Sequence, residues 1–313
     1  MIQIIPVNDA ICPEHAKNSV VALGNFDGMH KGHQHVILSA KKIALATGAS
    51  LAALTFEPHP ISVFSPSHPP FRLTSLEQKA SLMASLGVQF LYVVPFNLSF
   101  SRMSAETFIT DILVKQLNAC HVVAGYDFIF GYQRLGNAAL LEACAKQYPF
   151  GFTQTEAISD PKTPDIAYSS TQVRQLIAQG KVSQVPPILG RYFSIAGQVC
   201  EGNKKGRTLG FPTANLALGE SIRPRFGVYA TLVHLDGRTY PAVANIGCKP
   251  TLGIHEPQLE VHLFDFDQSI YNRYIEVELR AFIREEMRFH SLTELQKHIT
   301  QDCLQARALL GIT

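Results

Sequence analysis

Tryptophan is absent from this 313-residue sequence, no two cysteines stand in a C-x-x-C spacing, and no apolar run reaches the roughly 18 residues of a membrane-spanning helix. The six cysteines (Cys12, Cys120, Cys144, Cys200, Cys248 and Cys303) are scattered singly. That excludes a dense disulfide framework and reads as reduced thiols in a cytoplasmic protein. The opening residues, MIQIIPVNDA, have neither a basic n-region nor a long apolar h-region, so no signal peptide is expected. Charge is sparse and balanced, at 17% of residues and a net +2. Up to residue 185 there are 13 Lys+Arg against 12 Asp+Glu, and beyond it 14 against 13. Neither half is the footprint of a nucleic-acid partner or an anionic membrane. An anionic ligand must then be held by local groups: helix ends, glycine loops or a metal ion.

Hydrophobic residues make up 46% of the chain, enough for a sizeable core. At about 100–200 residues per domain, the length predicts two domains. Strand and helix signals alternate in the first half. Strands are expected at Val20–Leu23, Leu51–Phe56, Phe90–Val94, His121–Ala124 and Phe152–Thr155. Helices are expected at His33–Thr47, from Ser75 to before Gly87, at Ala105–Leu117, Ala138–Gln147 and Thr171–Gln179, with Pro58–Pro70 as a loop. This alternation predicts a parallel sheet covered by helices on both faces. Near Val185-Pro186-Pro187 the pattern changes to β-rich runs, with a hairpin signal at Asp236-Gly237. The expected domains are therefore 1–185 and 186–313. Ser291-Leu-Thr-Glu294 is a capping box opening a last helix, with Leu292, Leu295, Ile299 and Leu304 on its apolar side.

Two strings carry chemistry. In Gly24-Asn25-Phe26-Asp27-Gly28-Met29-His30-Lys31-Gly32-His33, glycines end a strand and open a helix. The helix start offers unpaired N–H groups and the positive end of the dipole, and His30 and His33 share one side of the first turn. They suit phosphate oxygens. A zinc site of His30, His33 and His35 is the weaker reading, because His35 points away from the pair on a helix. The second string is Gly202-Asn203-Lys204-Lys205-Gly206-Arg207-Thr208-Leu209-Gly210-Phe211-Pro212-Thr213-Ala214-Asn215. Its glycines and cations could cover phosphates. If extended, Thr213 and Asn215 point to the same side and offer neutral oxygens to Mg2+. Glu260, alternating with apolar neighbours, reads as an outward barrel carboxylate or as a base.

The string G-N-F-D-G-x-H-x-G-H resembles the N-terminal, nucleotidylyltransferase-like domain of the bacterial bifunctional riboflavin kinase/FAD synthetase family. So do Thr55-Phe56-Glu57-Pro58-His59-Pro60, Gly125-Tyr126-Asp127-Phe128-Ile129-Phe130-Gly131 and Ser169-Ser170-Thr171-Gln172-Val173-Arg174. The second string, with Asn245-Ile246-Gly247-Cys248-Lys249-Pro250-Thr251, Leu259-Glu260-Val261-His262-Leu263-Phe264-Asp265-Phe266 and Arg284-Glu285-Glu286-Met287-Arg288-Phe289, resembles that family's kinase domain. The resemblance implies a Rossmann-like α/β domain followed by a six-stranded Greek-key barrel with a C-terminal helix. It implies riboflavin, FMN, FAD and ATP as ligands, with Mg2+. For ATP and its phosphates it implies Gly24, Phe26, Gly28, Asp127, Ser170, Thr171, Arg174, Gly202, Lys204, Gly206 and Arg207. His30 and His33 would stabilise charge in adenylyl transfer, Thr213 and Asn215 would meet Mg2+, Glu260 would be the kinase base, and Arg284 and Glu285 would meet flavin. In the first domain three positions depart from the pattern, where Ala167, Ile129 and Asn137 replace charged residues, and in the second Ser269-Ile270-Tyr271-Asn272 stands where the family has [DL]-x-Y-G. The first three leave open a kinase with a vestigial first domain. Two further alternatives are a flavin-binding regulator and an H-x-G-H adenylyltransferase for another metabolite.

Overall fold

The structure is a computed structural model and describes residues 2–8, 12–201, 210–249 and 254–312. The chain divides into two compact units, Met1–His68 with Leu76–Ser169, and Pro69–Ser75 with Ser170–Thr313.

In the first unit, β1 (Gln3–Pro6), β2 (Val20–Leu23), β3 (Leu51–Glu57), β4 (Phe90–Pro95), β5 (His121–Gly125) and β6 (Gly151–Thr155) form a six-stranded sheet. Its order is β1-β4-β3-β2-β5-β6, and every pair is parallel. Parallel strands buried on both faces need apolar residues at successive positions, as in Val20–Leu23. Val20 and Ala22 meet Val36, Ile37 and Ala40 of α1 (Lys31–Thr47) on one face. Val21 and Leu23 enter the opposite layer with Ile109, Leu113 and Leu141. From β2 the chain steps outward through β3 to β4, then returns to β5 on the other side of β2. The carboxyl ends of β2 and β5 thus flank a topological switch point, where open α/β sheets take their ligands.

The structure departs locally from the expectations at three places. The Pro58–Pro70 loop contains a short helix, α2 (Pro60–Phe64), because Pro60 fits the first turn and His59 Nδ1 accepts from the Ile61 N–H at 3.2 Å. After α3 (Leu76–Leu86), the run read as one α-helix opens as α4 (Ala105–Thr107) and continues as a π-helix, Phe108–Gln116, burying Phe108, Ile109, Ile112 and Leu113. Beyond α5 (Ala138–Ala145), a hairpin of β7 (Ser159–Asp160) and β8 (Thr163–Ala167) carries no apolar alternation that could announce it.

The second unit begins with α6 (Ser170–Ala178) and α7 (Pro186–Leu189). Six antiparallel strands follow: β9 (Ser194–Gln198), β10 (Ala214–Ala217), β11 (Gly227–Leu235), β12 (Arg238–Lys249), β13 (Ile254–Leu263) and β14 (Tyr274–Arg284). Their order is β10-β13-β12-β11-β14-β9. β11, β12 and β13 pair in succession and β14 returns beside β11, which is a Greek key. The two ends of the sheet meet where the Cys200 N–H donates to the Asn215 carbonyl at 2.8 Å, so the barrel nearly closes. Asp236 and Gly237 both have positive φ, 52° and 76°, as a two-residue turn between twisted strands requires.

The last helix, α8 (Leu292–Leu310), starts where the capping box predicts it. Ser291 Oγ accepts from the Glu294 N–H at 3.1 Å, and Glu294 answers by accepting from the His290 N–H at 2.8 Å. Its buried face differs from the expected one. Leu292 and Leu304 are 69% and 58% exposed, while Asp302 and Ala306 are buried. The helix rotates toward the barrel because Arg284 on β14 grips Asp302 with two hydrogen bonds of 2.8 and 2.7 Å.

One buried group is badly served. Thr231 on β11 is fully buried, and its hydroxyl has no hydrogen-bond partner among the described residues. An unsatisfied buried hydroxyl costs about 1–3 kcal/mol. Thr231→Val should therefore raise the unfolding midpoint by roughly 2–4 °C in calorimetry; a lower midpoint would show that the hydroxyl is satisfied after all.

Candidate active sites

In the first unit the switch point is built from the turn between β2 and α1. Phe26, Gly28 and Met29 all take positive φ, 52°, 81° and 48°. For a non-glycine residue this conformation costs about 1–2 kcal/mol. Phe26 and Met29 hold it because their side chains are fully buried in the layer beneath α1. The other two glycines are needed for packing. A Cβ on Gly24 would lie 3.1 Å from the Phe26 ring, and one on Gly32 would lie 3.0 Å from His30 Nδ1.

His30 is the N-cap of α1, and its Nδ1 accepts from the His33 N–H at 3.3 Å. In the neutral ring the proton then sits on Nε2. The two imidazoles stack at 3.6 Å and 24°, and the Phe26 ring meets His33 edge-on at 5.4 Å. No acidic residue occupies the first turn of α1, so nothing there cancels the dipole's positive end. Leu23 pairs with Ala124, which sets Gly24 and Gly125 at neighbouring strand ends. Asp127, exposed, follows Gly125, where a Cβ would come within 3.3 Å of its carboxylate. A zinc site is not formed: among the described residues no three His, Cys, Asp or Glu side chains converge.

Ser170, Thr171 and Arg174 belong to the second unit. The two hydroxyl residues open α6, whose Val173 and Ile177 are buried in the barrel core. Arg174 donates from Nε to the Phe71 carbonyl at 3.0 Å and lies 5.3 Å from that residue's ring.

The barrel carries the other candidates on one transverse row. Asn215 pairs with Glu260, Glu260 with Asn245, Asn245 with Val228, and Val228 with Arg284. Neighbouring strands are about 4.8 Å apart. The flanking residues Ala214, Leu216, Ala244, Ile246, Leu259 and Val261 all lie in the inner core. Side chains alternate along a strand, so the row faces outward. Val228, in the middle of it, packs against Ala306 of α8. At the other end Thr213 and Asn215 line a cavity of about 700 Å3 together with His262 and Asp265.

Asn215 is buried, and its amide nitrogen donates to the Thr213 carbonyl at 3.4 Å. His262 Nδ1 lies 2.8 Å from the Pro212 carbonyl. A carbonyl only accepts, so the proton is on Nδ1. Arg284 is committed within the protein: besides Asp302, it donates to the Glu285 carbonyl at 2.8 Å. Glu285 pairs with Arg225. Gly202, Lys204, Gly206 and Arg207 lie outside the described residues.

Two members of this site have no role assigned from sequence, although both lie in the motif strings. Asn245 sits opposite Glu260 and donates to Glu286 at 3.5 Å, and a Cβ on Gly247 would collide with the Glu286 carboxylate. His262 enters the cavity wall two residues after Glu260. Their signal in the sequence is alternation with apolar neighbours, which marks an exposed face but not which strands lie beside it.

A Rossmann-like unit with an anion-ready turn, followed by a Greek-key barrel with an outward polar row, defines a two-site nucleotide-using transferase. The FAD synthetase family model matches residues 12–172, and the riboflavin kinase family model matches residues 189–310. The bifunctional riboflavin kinase/FMN adenylyltransferase of Escherichia coli (strain K12) is 39% identical over 295 residues, covering 94% of this chain and 93% of the relative. That of Bacillus subtilis (strain 168) is 40% identical over 310 residues, covering 97% and 96%. The chain belongs to the bifunctional riboflavin kinase/FMN adenylyltransferase family and carries both domains. A solved structure described as a macrolide-efflux protein from Streptococcus pneumoniae has a TM-score of 0.83 and 31% identity, covering 97% of this chain and 98% of that one. Among the described residues of this chain, no helix is long and apolar enough to cross a membrane.

If Glu260 is the base of the kinase site, Glu260→Gln should lower FMN formation by about 10²–10⁴-fold. The unfolding midpoint should stay close to that of the parent protein. Chromatographic assay of FMN from riboflavin and ATP decides it, and near-normal turnover would remove Glu260 from the role.

Proposed function

We propose that the chain converts riboflavin to FMN at the barrel row and FMN to FAD at the β2–α1 turn, consuming one ATP at each step. The observation that carries this reading is the register that sets Asn215, Glu260 and Asn245 side by side beside a nucleotide-sized cavity. At the barrel, Glu260 takes the proton of the flavin 5′-hydroxyl as that oxygen attacks the γ-phosphorus and ADP leaves. Thr213 and Asn215 present oxygens without charge, and among the described residues no acidic or histidine cluster could hold a metal alone. That donor set fits Mg2+, which binds through one or two protein oxygens, waters and substrate phosphates. Bound there, Mg2+ would neutralise phosphate charge. Arg284 and Glu285 border the flavin end of the row, where Arg284 also fixes α8.

At the turn, an FMN phosphate oxygen attacks the ATP α-phosphorus and pyrophosphate leaves. His30 Nε2–H, His33 and the first N–H groups of α1 stabilise charge on the phosphates, with Asp127 as a further nucleotide contact. Ser170, Thr171 and Arg174, at the start of α6 in the second unit, are proposed as nucleotide contacts in their own right. Gly202, Lys204, Gly206 and Arg207 are proposed to cover the kinase phosphates. The domain boundary is proposed at 185/186, between the family matches ending at 172 and starting at 189, whereas the compact units divide at Ser169/Ser170 because Val173, Ile177, Val182 and Val185 pack into the barrel core. A cytoplasmic location belongs to the same reading and rests on the singly placed, free cysteines.

A kinase with a vestigial first domain has less support, because the departures are local. Asn137 serves the fold, since it caps α5 by accepting from the Leu140 N–H at 3.1 Å. The decisive comparison is His30→Ala with His33→Ala. Removal of one transition-state donor typically costs about 10²–10³ in rate, so losing two should abolish FAD formation from FMN and ATP. FMN formation should remain. Unchanged FAD synthesis would overturn the assignment of the turn, and loss of both activities in a folded protein would overturn separate sites.

A further inference from the structure

The first unit buries an ammonium group that the proposed chemistry does not use. Lys79 on α3 is 1% exposed. Its neighbours Ala80 and Met83 enter the apolar layer between α3 and the sheet. Lys79 Nζ donates to Glu57 Oε1 at 2.9 Å and to Thr55 Oγ1 at 3.1 Å. Thr55 and Glu57 are two apart on β3 and share one face. An ammonium only donates, so Thr55 Oγ1 accepts from it and gives its own proton to the Asn25 carbonyl, 3.0 Å away. Asn25 lies in the turn that ends at His30. A directed relay therefore runs from ammonium to hydroxyl to the backbone of that turn.

Stability alone does not call for this arrangement. A buried ion pair is often no better than an apolar replacement of the same size. The apolar residue could not polarise Thr55. The turn has reason to need it, since Phe26 and Met29 both hold left-handed backbone there. A second turn carbonyl, that of Met29, is likewise held by a side chain, Gln34 Nε2 at 2.8 Å.

We infer that Lys79 is a positioning residue for ATP binding in the adenylyltransferase domain, acting through Thr55 on the Asn25 carbonyl. This rests on the reading that the Gly24–His30 turn carries ATP. The test uses the full-length protein with FMN and ATP, measuring initial rates of FAD formation. Thr55→Val keeps the volume and the Lys79–Glu57 pair but breaks the relay. It should raise the KM for ATP roughly three- to tenfold, the worth of one hydrogen bond, with kcat changed less. Thr55→Ser keeps the hydroxyl and should stay near the parent KM, although it packs worse. Lys79→Met should reproduce the Thr55→Val shift, and the two together should not multiply it. An unchanged KM in Thr55→Val, or Thr55→Ser as impaired as Thr55→Val, would overturn the relay. If Lys79→Met does not fold, the Thr55 pair decides alone. The histidine double variant separates the two levels. Normal FAD formation in it refutes the ATP site of the turn, whereas its loss beside a silent Thr55→Val refutes only the relay.

Discussion

Strand register is the constraint on which both sites depend. A residue on a paired strand can face only two ways, and the inside of the barrel is filled by Ala214, Leu216, Ala244, Ile246, Leu259 and Val261. Polar groups at 215, 245 and 260 must therefore emerge together on the outer side. A slip of one residue on β13 would drive Glu260 into the core and expose Val261, so apolar burial itself protects the alignment. In the parallel sheet the same logic works at strand ends. Pairing of Leu23 with Ala124 releases two turns side by side, one leading to His30 and the other to Asp127.

With a net charge of only +2, neither unit can gather phosphates by a broad field. In the proposed reading the two sites solve this in different ways. The β2–α1 turn relies on fixed dipoles: the start of α1, with no acid in its first turn, and a His30 ring whose tautomer is set by the backbone. The barrel relies on oxygens, with one carboxylate in a row of amides. The first arrangement favours negative charge directly. The second would need a cation to share the phosphates, to which Thr213 and Asn215 would offer neutral oxygens.

Much of this organisation was legible in the sequence, because it is local. The alternation of strands and helices, the Asp236-Gly237 hairpin and the Ser291 cap each depend on residues a few positions apart. What was not legible depends on partners distant in the chain. The apolar stripe of α8 pointed to Leu292 and Leu304, but the helix turns on Asp302, whose partner Arg284 lies on β14. Asn245 could be recognised as polar and outward, yet only pairing shows that it stands beside Glu260. Lys79 gave no signal at all. A lysine on an amphipathic helix reads as solvated, and its burial follows from Thr55 and Glu57 on a strand more than twenty residues earlier.

The length of the motif strings follows from the same division of labour. In Gly24–His33, the imidazoles are the part proposed to touch a ligand. Phe26 packs against Gly24 and His33, Gly32 makes room for His30, and Met29 anchors the backbone. In Arg284–Phe289, Arg284 faces Asp302 and lies 5.8 Å from the Phe289 ring, while Glu286 reaches back to Asn245 in the polar row. Arg284 thus shapes the row chiefly by fixing the end of β14 against α8. Removing Arg284 would leave the buried Asp302 carboxylate unpaired, and removing Asp302 the half-buried Arg284; either would free the helix that covers Val228. A string of ten residues is therefore not ten contacts. It is a small set of reacting groups together with the packing that holds them, and the geometry distinguishes one from the other where spacing alone does not.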